Sequence, residues 1–169
     1  QKLKIWVEQG NALIIFCGPR TAQNASIFLE LGVVSLITNE SIRESESNAV
    51  PLLKDDGTSP IISGIDWKAM PDFKNYTIFE NISSDVVTLV EKQSREDSER
   101  KIADPLIFYK NLGSGRVLIY TPWVESGFDI EFRGSAFFNY LVYSAVITRA
   151  GLDSAKLSYR DWDYSPIPH

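Results

Sequence analysis

The sequence predicts an α/β domain with a mainly parallel sheet, helices on both faces of that sheet, and an added antiparallel hairpin. Three observations support this class. Over residues 2–37, a short helix, an apolar strand, a second helix and a second strand follow one another with tight connections, as in α/β layer folds. Two β-rich runs then flank a glycine-containing loop at residues 111–115, and a strongly apolar helix follows them.

The opening elements follow from apolar spacing and from glycine stops. A short amphipathic helix ends near Gly10. The continuous apolar run at residues 13–16 is typical of a strand buried on both faces of a parallel sheet. Thr21 is a candidate cap for a second helix that Gly32 ends, and residues 33–37 are expected to form a further strand. The second helix is expected to turn four side chains inward: Ala25, Phe28, Leu29 and Leu31.

The middle of the chain alternates between polar stretches and short strands. Residues 39–60 are rich in Ser, Glu, Asp and Gly, so a loop is expected there. Residues 76–79 and 86–90 are candidate strands, and the dense charge block at residues 91–101 is expected to be a solvated loop. We therefore expect one domain over residues 1–158 and an aromatic, proline-rich tail over residues 159–169.

The hairpin and the last helix carry the clearest local signals. Residues 106–109 and 116–120 are β-rich and flank Gly113-Ser-Gly115, so two strands joined by a tight turn are expected. A phosphate-binding loop is the less favoured interpretation of this turn, because no helix follows it directly. Residues 135–150 are apolar almost all round, which predicts a helix buried against the sheet.

Composition excludes several classes of function. The net charge of −5 disfavours a general nucleic-acid binder. No apolar stretch reaches the roughly 18–20 residues that cross a bilayer. With one cysteine and one histidine, the sequence lacks the usual ligands of a zinc site, and we expect no metal and no cofactor. Four glycosylation sequons, which begin at Asn24, Asn39, Asn75 and Asn81, favour an exterior location; a cytoplasmic location is the alternative.

Cys17 lies where a predicted strand leads into a turn and a helix, a place at which a nucleophile would be presented. It closes the apolar run of the first strand and immediately precedes Gly18. A catalytic thiol normally works with a nearby imidazole, yet the single histidine of this chain is the last residue, His169. The sequence thus predicts a hydrolase-like scaffold that lacks hydrolase chemistry.

Two segments resemble the class I glutamine amidotransferase family. In that family, a strand ends in a sharp turn, G-x-C-x-G, that carries the catalytic cysteine. Cys17 lies at the equivalent position, although Ile15 and Pro19 replace the two flanking glycines. By the same resemblance, Thr121 and Trp123 replace the histidine and the glutamate of the family's H-P-E motif. Thr does not accept a proton near neutral pH and the Trp indole only donates, so the resemblance implies a domain without the catalytic triad.

A closer resemblance is to triad-lacking amidotransferase-like domains of membrane-associated and trehalose-utilisation-type proteins. It is carried by Ser59-Pro-Ile-Ile-Ser-Gly-Ile-Asp-Trp67, by Ala103-Asp-Pro-Leu106 and by Gly113-Ser-Gly-Arg-Val117. Such domains lie outside the membrane, attached to transmembrane helices. The resemblance also implies that the family's opening strand–helix–strand unit is missing before Gln1, so that the sheet lacks a part or borrows it.

We therefore expect a non-catalytic amidotransferase-like domain with a binding or assembly role, as the exterior part of a larger membrane-associated protein. Its partner is a protein or a small ligand. Ligands of parallel sheets bind at the carboxyl ends of strands, and the candidate pocket there comprises Cys17, Gly18, Arg20, Thr121, Trp123 and Glu125. Two alternatives remain: a thiol-dependent hydrolase or amidotransferase that uses Cys17, and a carbohydrate-binding module that uses its tryptophans.

Overall fold

The computed structural model describes residues 2–38, 41–45, 47–54, 58–93, 104–124 and 130–153. The expected tail at residues 159–169 and most of the expected charged loop lie outside these ranges. In chain order the elements are α1 (Lys2–Glu8), β1 (Ala12–Phe16), a 3-10 turn (Ala22–Asn24), α2 (Ala25–Glu30), β2 (Ile42–Ser45), β3 (Pro51–Leu53), β4 (Tyr76–Phe79), β5 (Val87–Lys92), β6 (Pro105–Leu112), β7 (Gly115–Tyr120), α3 (Ile130–Arg133) and α4 (Ala136–Ile147).

The fold is α/β, but the expectation of a mainly parallel sheet is wrong. The described residues form a five-stranded sheet in the order β1-β7-β6-β5-β3 and a separate antiparallel pair, β2-β4. In the larger sheet only β1 and β7 run parallel, and the other three pairings are antiparallel. A parallel pairing needs a long crossover connection, whereas β6 and β7 are joined by a two-residue turn that permits only an antiparallel pairing.

The predicted hairpin is confirmed as β6 and β7, with Leu112 opposite Gly115. Its turn packs against the end of α1, where the Ser114 amide donates to the Glu8 carbonyl over 3.1 Å. A Cβ atom on Gly115 would overlap the backbone oxygen of Val7. The glycines of this turn therefore allow close backbone contact with α1.

Two hydrophobic clusters cover the two faces of the five-stranded sheet. Along β7, Leu118 and Tyr120 belong to the cluster that contains α4, while Val117 and Ile119 belong to the cluster that contains Val7 of α1. This alternation is that of a strand with both faces buried. The expectation of helices on both faces is thus met by α4 on one side and by α1 and α2 on the other.

Among the described strands, β1 lies at an open edge of the sheet, and its side chains are less buried than expected. Within the described residues it pairs with β7 alone. Its first four side chains are partly buried and that of Phe16 is exposed. A continuous apolar run is typical of a strand that is buried on both faces, and β1 meets this expectation only in part, with Ala12 and Ile14 against one cluster and Leu13 and Ile15 against the other.

The segments around β1 depart from the expectations in three places. The strand expected at residues 33–37 is reduced to one bridge between Val34 and Ile82. In α2, Leu29 is 44% exposed rather than inward-facing, whereas Phe28 is buried as expected. The expected loop at residues 39–60 contains β2 and β3, whose pairing partners lie more than 30 residues further along the chain.

α4 begins as the sequence predicts, with a Ser135 cap whose hydroxyl accepts from the Phe138 amide. One side of it packs in the core through Tyr140, Leu141 and Ala145. The opposite side exposes Tyr143, Val146 and Ile147, so the expectation that this helix is buried all round is wrong. Among the described residues, no helix has the length and hydropathy of a membrane span.

Candidate functional site around Cys17

The parallel pairing of β1 with β7 brings two of the candidate residues to one edge of the sheet. Cys17 directly follows β1 and Thr121 directly follows β7. The Cys17 amide donates to the carbonyl of Tyr120, with 2.9 Å between N and O. The neighbourhood predicted from the sequence therefore exists at the carboxyl ends of these two strands.

The thiol of Cys17 lies in the protein interior. The residue is 2% exposed and belongs to the cluster that contains α1 and α2. Burial raises the pKa of Cys17 from an ordinary value near 9 to about 12, and hydrogen bonds with the side chains of Thr21 and Thr77 oppose this rise only in part. The thiol is therefore protonated and poorly nucleophilic at neutral pH.

Thr77, on β4, connects Cys17 to Trp123. The indole N–H of Trp123 donates to Thr77 Oγ1 over 2.9 Å, and the Thr77 amide donates to the carbonyl of Thr121 over 3.0 Å. Trp123 is only 2% exposed. Trp123, which the sequence assigned to the candidate pocket, is thus a core residue with its polar atom bonded inside the protein.

Thr121 is also committed to internal contacts. It is fully buried, its amide donates to the carbonyl of Leu106 over 2.9 Å, and its hydroxyl donates to the carbonyl of Pro105 over 3.3 Å. The Thr121 hydroxyl therefore holds the start of β6 against the end of β7.

Gly18 and Thr21 form a tight turn after Cys17. The Gly18 amide donates to Thr21 Oγ1 over 2.8 Å, and the Thr21 amide donates back to the Gly18 carbonyl over 3.0 Å. Thr21 precedes the 3-10 turn, but its hydroxyl makes no cap hydrogen bond there. Its side chain closes the turn around Cys17 instead of capping a helix.

Arg20 lies on the surface, beside a cleft of about 300 Å³. Gly18, Thr21 and Asn24 form the polar side of this cleft, and apolar side chains of α1, β1 and α2 form the rest. The cleft therefore lies over the open edge of the sheet. Glu125, the last candidate, lies outside the described residues, and ligand binding by this set of residues stays a prediction.

The groups around the thiol do not form an acid–base system. The hydrogen-bonding partners of Cys17 are two hydroxyls, and the polar group beyond Thr77 is an indole N–H. Hydroxyls do not take up protons near neutral pH, and an indole only donates. In the part of the chain that the structure describes, no group of three His, Cys, Asp or Glu residues is arranged to hold a metal ion.

Thr77 is the site residue that sequence reasoning missed. Residues 76–79 are recognisable as a strand, but nothing in the sequence indicates that β4 packs beside the ends of β1 and β7. The antiparallel bridge between Tyr76 and Pro122 fixes this position. Such a contact joins residues 46 positions apart, beyond the reach of local periodicity.

The fold resembles that of two solved bacterial structures. The cytoplasmic protein STM3548 of Salmonella typhimurium matches 86% of this chain and 57% of its own chain, with a TM-score of 0.63 and 14% identity. The cytoplasmic protein STM1381 of Salmonella typhimurium LT2 matches 88% of this chain and 58% of its own, with a TM-score of 0.57 and 10% identity. No family model matches this sequence, and a search of curated proteins finds no similar one. This chain thus shares its fold with proteins of which it spans less than two thirds, and a fold alone assigns no activity.

Proposed function

We propose that this chain is a catalytically silent, amidotransferase-like domain that acts by binding or assembly, as the exterior part of a larger membrane-associated protein. The burial of Cys17 is the observation that carries the proposal. Its thiol stands where the related enzymes have their nucleophile, yet burial raises its pKa to about 12. A nucleophilic cysteine needs the opposite shift.

In the part of the chain that the structure describes, no proton acceptor hydrogen-bonds with the thiol, which supports the same proposal. At the two remaining positions of the family's triad stand Thr121 and Trp123, and both side chains donate their hydrogen bonds to other protein groups. A hydrolase built on Cys17 would need a base that displaces these contacts. Among the described residues, none of the groups that touch the thiol is such a base.

Alkylation of the native protein with iodoacetamide at pH 7.5, followed by mass spectrometry, separates the silent domain from the thiol enzyme. We expect Cys17 to react far more slowly in the folded protein than in urea, because alkylation requires both exposure and a thiolate. The control is Gln23→Cys in a Cys17→Ala background, which places a single thiol on an exposed position of the neighbouring turn.

The silent domain and the thiol enzyme predict opposite orders for the alkylation rates of Cys17 and the control thiol. The silent domain predicts that the control thiol reacts faster than Cys17 in the native state. If Cys17 reacts faster than the exposed control, it is an activated nucleophile and the proposal is wrong.

The open edge of β1 supports the assembly part of the proposal. The Cys17 amide donates to the carbonyl of Tyr120, and the Arg116 amide donates to the carbonyl of Asn11. The backbone polar groups of Asn11 and Cys17 therefore point towards β7. By the alternation of a parallel strand, the amides and carbonyls of Ala12, Ile14 and Phe16 point away from it. Charges, prolines and bulges, which protect natural edge strands, are absent from β1.

We infer that polypeptide outside residues 1–169 adds a strand parallel to β1 at this edge. α1 leads directly into β1 and covers one face of the sheet. A helix in this position is typical of the crossover between two parallel neighbouring strands. The two solved relatives have chains that extend well beyond the matched part, so proteins of this fold have room for such a strand.

The exterior location is also part of the proposal. Asn24 and Asn81, which begin two of the four sequons, are exposed, as glycan attachment requires. Mass spectrometry of the protein purified from its source tests this point. Hexose-bearing Asn24 or Asn81 is expected, and unmodified asparagine at all four sequons would remove the support for an exterior location.

A further inference from the structure

A second and larger concavity lies at the opposite edge of the sheet from the Cys17 cleft. It has a volume of about 990 Å³. We call it the Trp67 groove. Its apolar floor is formed by β3 and nearby side chains such as Met70, and its polar side carries Asp66, Lys68, Asp72 and Gln93.

Trp67 is held in this groove in a defined orientation. Its indole N–H donates to the carbonyl of Ile62 over 3.2 Å, and its ring packs against the main hydrophobic cluster while remaining only partly buried. Because the only polar atom of the ring is bonded to the protein, the part that faces the groove is apolar. A flat apolar surface of this kind fits the C–H face of a sugar ring.

The polar groups of the groove suit hydroxyls better than anions. Asp66 accepts from the Lys68 amide over 3.2 Å, which fixes its carboxylate at the rim. Within the described part of the chain, the Asp72 carboxylate has no ion pair or hydrogen bond. Two carboxylates beside one ammonium disfavour an anionic ligand. Carboxylates accept hydrogen bonds from hydroxyl groups, and side-chain amides both accept and donate them.

The edge of β3 is closed to an added peptide strand. The Gln93 amide donates to Val50 and the Lys54 amide to Leu89, so alternate residues of this segment point towards β5. By this alternation the backbone of Pro51 faces the open edge, where proline has no amide hydrogen to offer. The groove therefore favours a ligand recognised by side chains over one that extends the sheet.

We propose that the Trp67 groove binds a neutral oligosaccharide, with one sugar ring stacked on Trp67 and its hydroxyls bonded to Asp66 and Asp72. This inference rests on the proposed function as a binding domain and names the ligand class. It assigns sugar binding to Trp67 and not to Trp123, because Trp123 is buried and its indole N–H donates to Thr77. The other tryptophan of the described residues, Trp6, lies on α1 beside the opposite edge of the sheet.

Titration with maltotriose, cellotriose and chitotriose, each followed by indole ¹H–¹⁵N spectra, tests the proposal. We expect at least one trisaccharide to bind saturably with a Kd of about 0.1–10 mM and to shift the Trp67 indole signal, which Trp67→Phe identifies. Trp67→Ala is expected to weaken binding about tenfold or more. Trp6→Ala, which removes a tryptophan that is 44% exposed outside the groove, is expected to leave the affinity unchanged.

Asp72→Ala keeps the inference testable if Trp67→Ala unfolds, since Asp72 is not part of the core. It is expected to weaken binding while its thermal unfolding matches that of the wild type. The inference is wrong if none of the three sugars produces a saturable shift. It is also wrong if Trp6→Ala abolishes binding while Asp72→Ala does not change it. Either result leaves the Cys17 alkylation experiment unaffected, so failure of the ligand class is distinguishable from failure of the silent-domain proposal.

Discussion

The hydroxyl of Thr77 satisfies the polar atoms of two buried neighbours at once. It accepts from the Trp123 indole over 2.9 Å and hydrogen-bonds with Cys17. All three residues are almost completely buried. A buried polar atom without a partner costs free energy, so the Thr77 hydroxyl stabilises both the indole N–H of Trp123 and the thiol of Cys17.

Thr77→Val removes that hydroxyl with little change in shape. We expect the free energy of unfolding to fall by about 1–3 kcal/mol, because the indole N–H of Trp123 loses its acceptor in the core. Urea denaturation measures the change. The matched comparison is Trp123→Phe with and without Thr77→Val: once the indole N–H is absent, the valine substitution is expected to cost much less. If Thr77→Val lowers the free energy of unfolding equally in the wild type and in Trp123→Phe, the hydrogen bond between Trp123 and Thr77 does not contribute to stability.

The raised pKa of Cys17 predicts a dependence of stability on alkaline pH. The thiol ionises more readily in the unfolded chain than in the folded protein, where its pKa is about 12. Its contribution to stability is therefore complete below pH 8.5 and is lost as the pH rises towards 12. Between pH 8 and pH 10 we expect a loss of roughly 1.5 kcal/mol from this group.

Comparison of urea denaturation in the wild type and in Cys17→Ala isolates this effect. Burial also raises the pKa of Tyr120 far above its ordinary value, and both proteins share the resulting alkaline loss. The variant is expected to show the smaller decrease between pH 8 and pH 10. Parallel pH profiles would mean that the thiol titrates equally in both states.

Among the elements, β1 shows best what local sequence does and does not determine. Its apolar run predicts the strand and its place before a turn, and both are confirmed by β1 and the Gly18–Thr21 contacts. The direction and number of its neighbours depend on residues about 100 positions away in β7. In contrast, the β6–β7 hairpin was predictable because its pairing depends on a two-residue glycine turn within the same segment.

Proline substitutions distinguish the two sides of β1. Ile14→Pro removes an amide that points to the open edge, whereas Ile15→Pro removes one that points to β7. Both variants lose a partly buried isoleucine, so we expect Ile15→Pro to be less stable by about 1–3 kcal/mol in thermal or urea unfolding. Equal destabilisation would contradict the inferred direction of these amides.

Hydrogen exchange tests the added strand itself. In residues 1–169 alone, the Ile14 amide is expected to exchange much faster than the Ile15 amide, since an edge amide lacks a protein acceptor. In a longer form of the protein, a strand added parallel to β1 would slow exchange at Ile14 to a rate similar to that at Ile15. An unchanged fast rate in the longer form would rule out strand addition at this edge.

At the scale of the whole molecule, the class of fold was predictable and the sheet direction was not. The alternation of helices with strands in the first 37 residues correctly indicated an α/β fold. It over-predicted parallel pairing because β5, β6 and β7 follow one another in antiparallel order. The candidate site was predictable as far as the ends of β1 and β7, but its internal hydrogen bonds run through Thr77, on a strand of the smaller sheet.

The molecule thus encloses the thiol of the residue that follows β1. Cys17 lies in the same cluster as Val7 of α1 and Phe28 of α2, both almost fully buried. Exposure of the thiol would require separation of these helices from the sheet. Among the described residues, the surfaces that we propose for binding are the cleft beside Arg20, the open edge of β1 and the Trp67 groove.

The most direct test of this account is the pKa of the Cys17 thiol, measured from the rate of native-state alkylation between pH 6 and pH 10. We predict that the rate stays far below that of the Gln23→Cys control and shows no titration of a folded thiolate within this range, because burial raises the pKa to about 12. A titration midpoint below about 8.5, together with fast alkylation in the native state, would identify an activated thiolate and contradict the account.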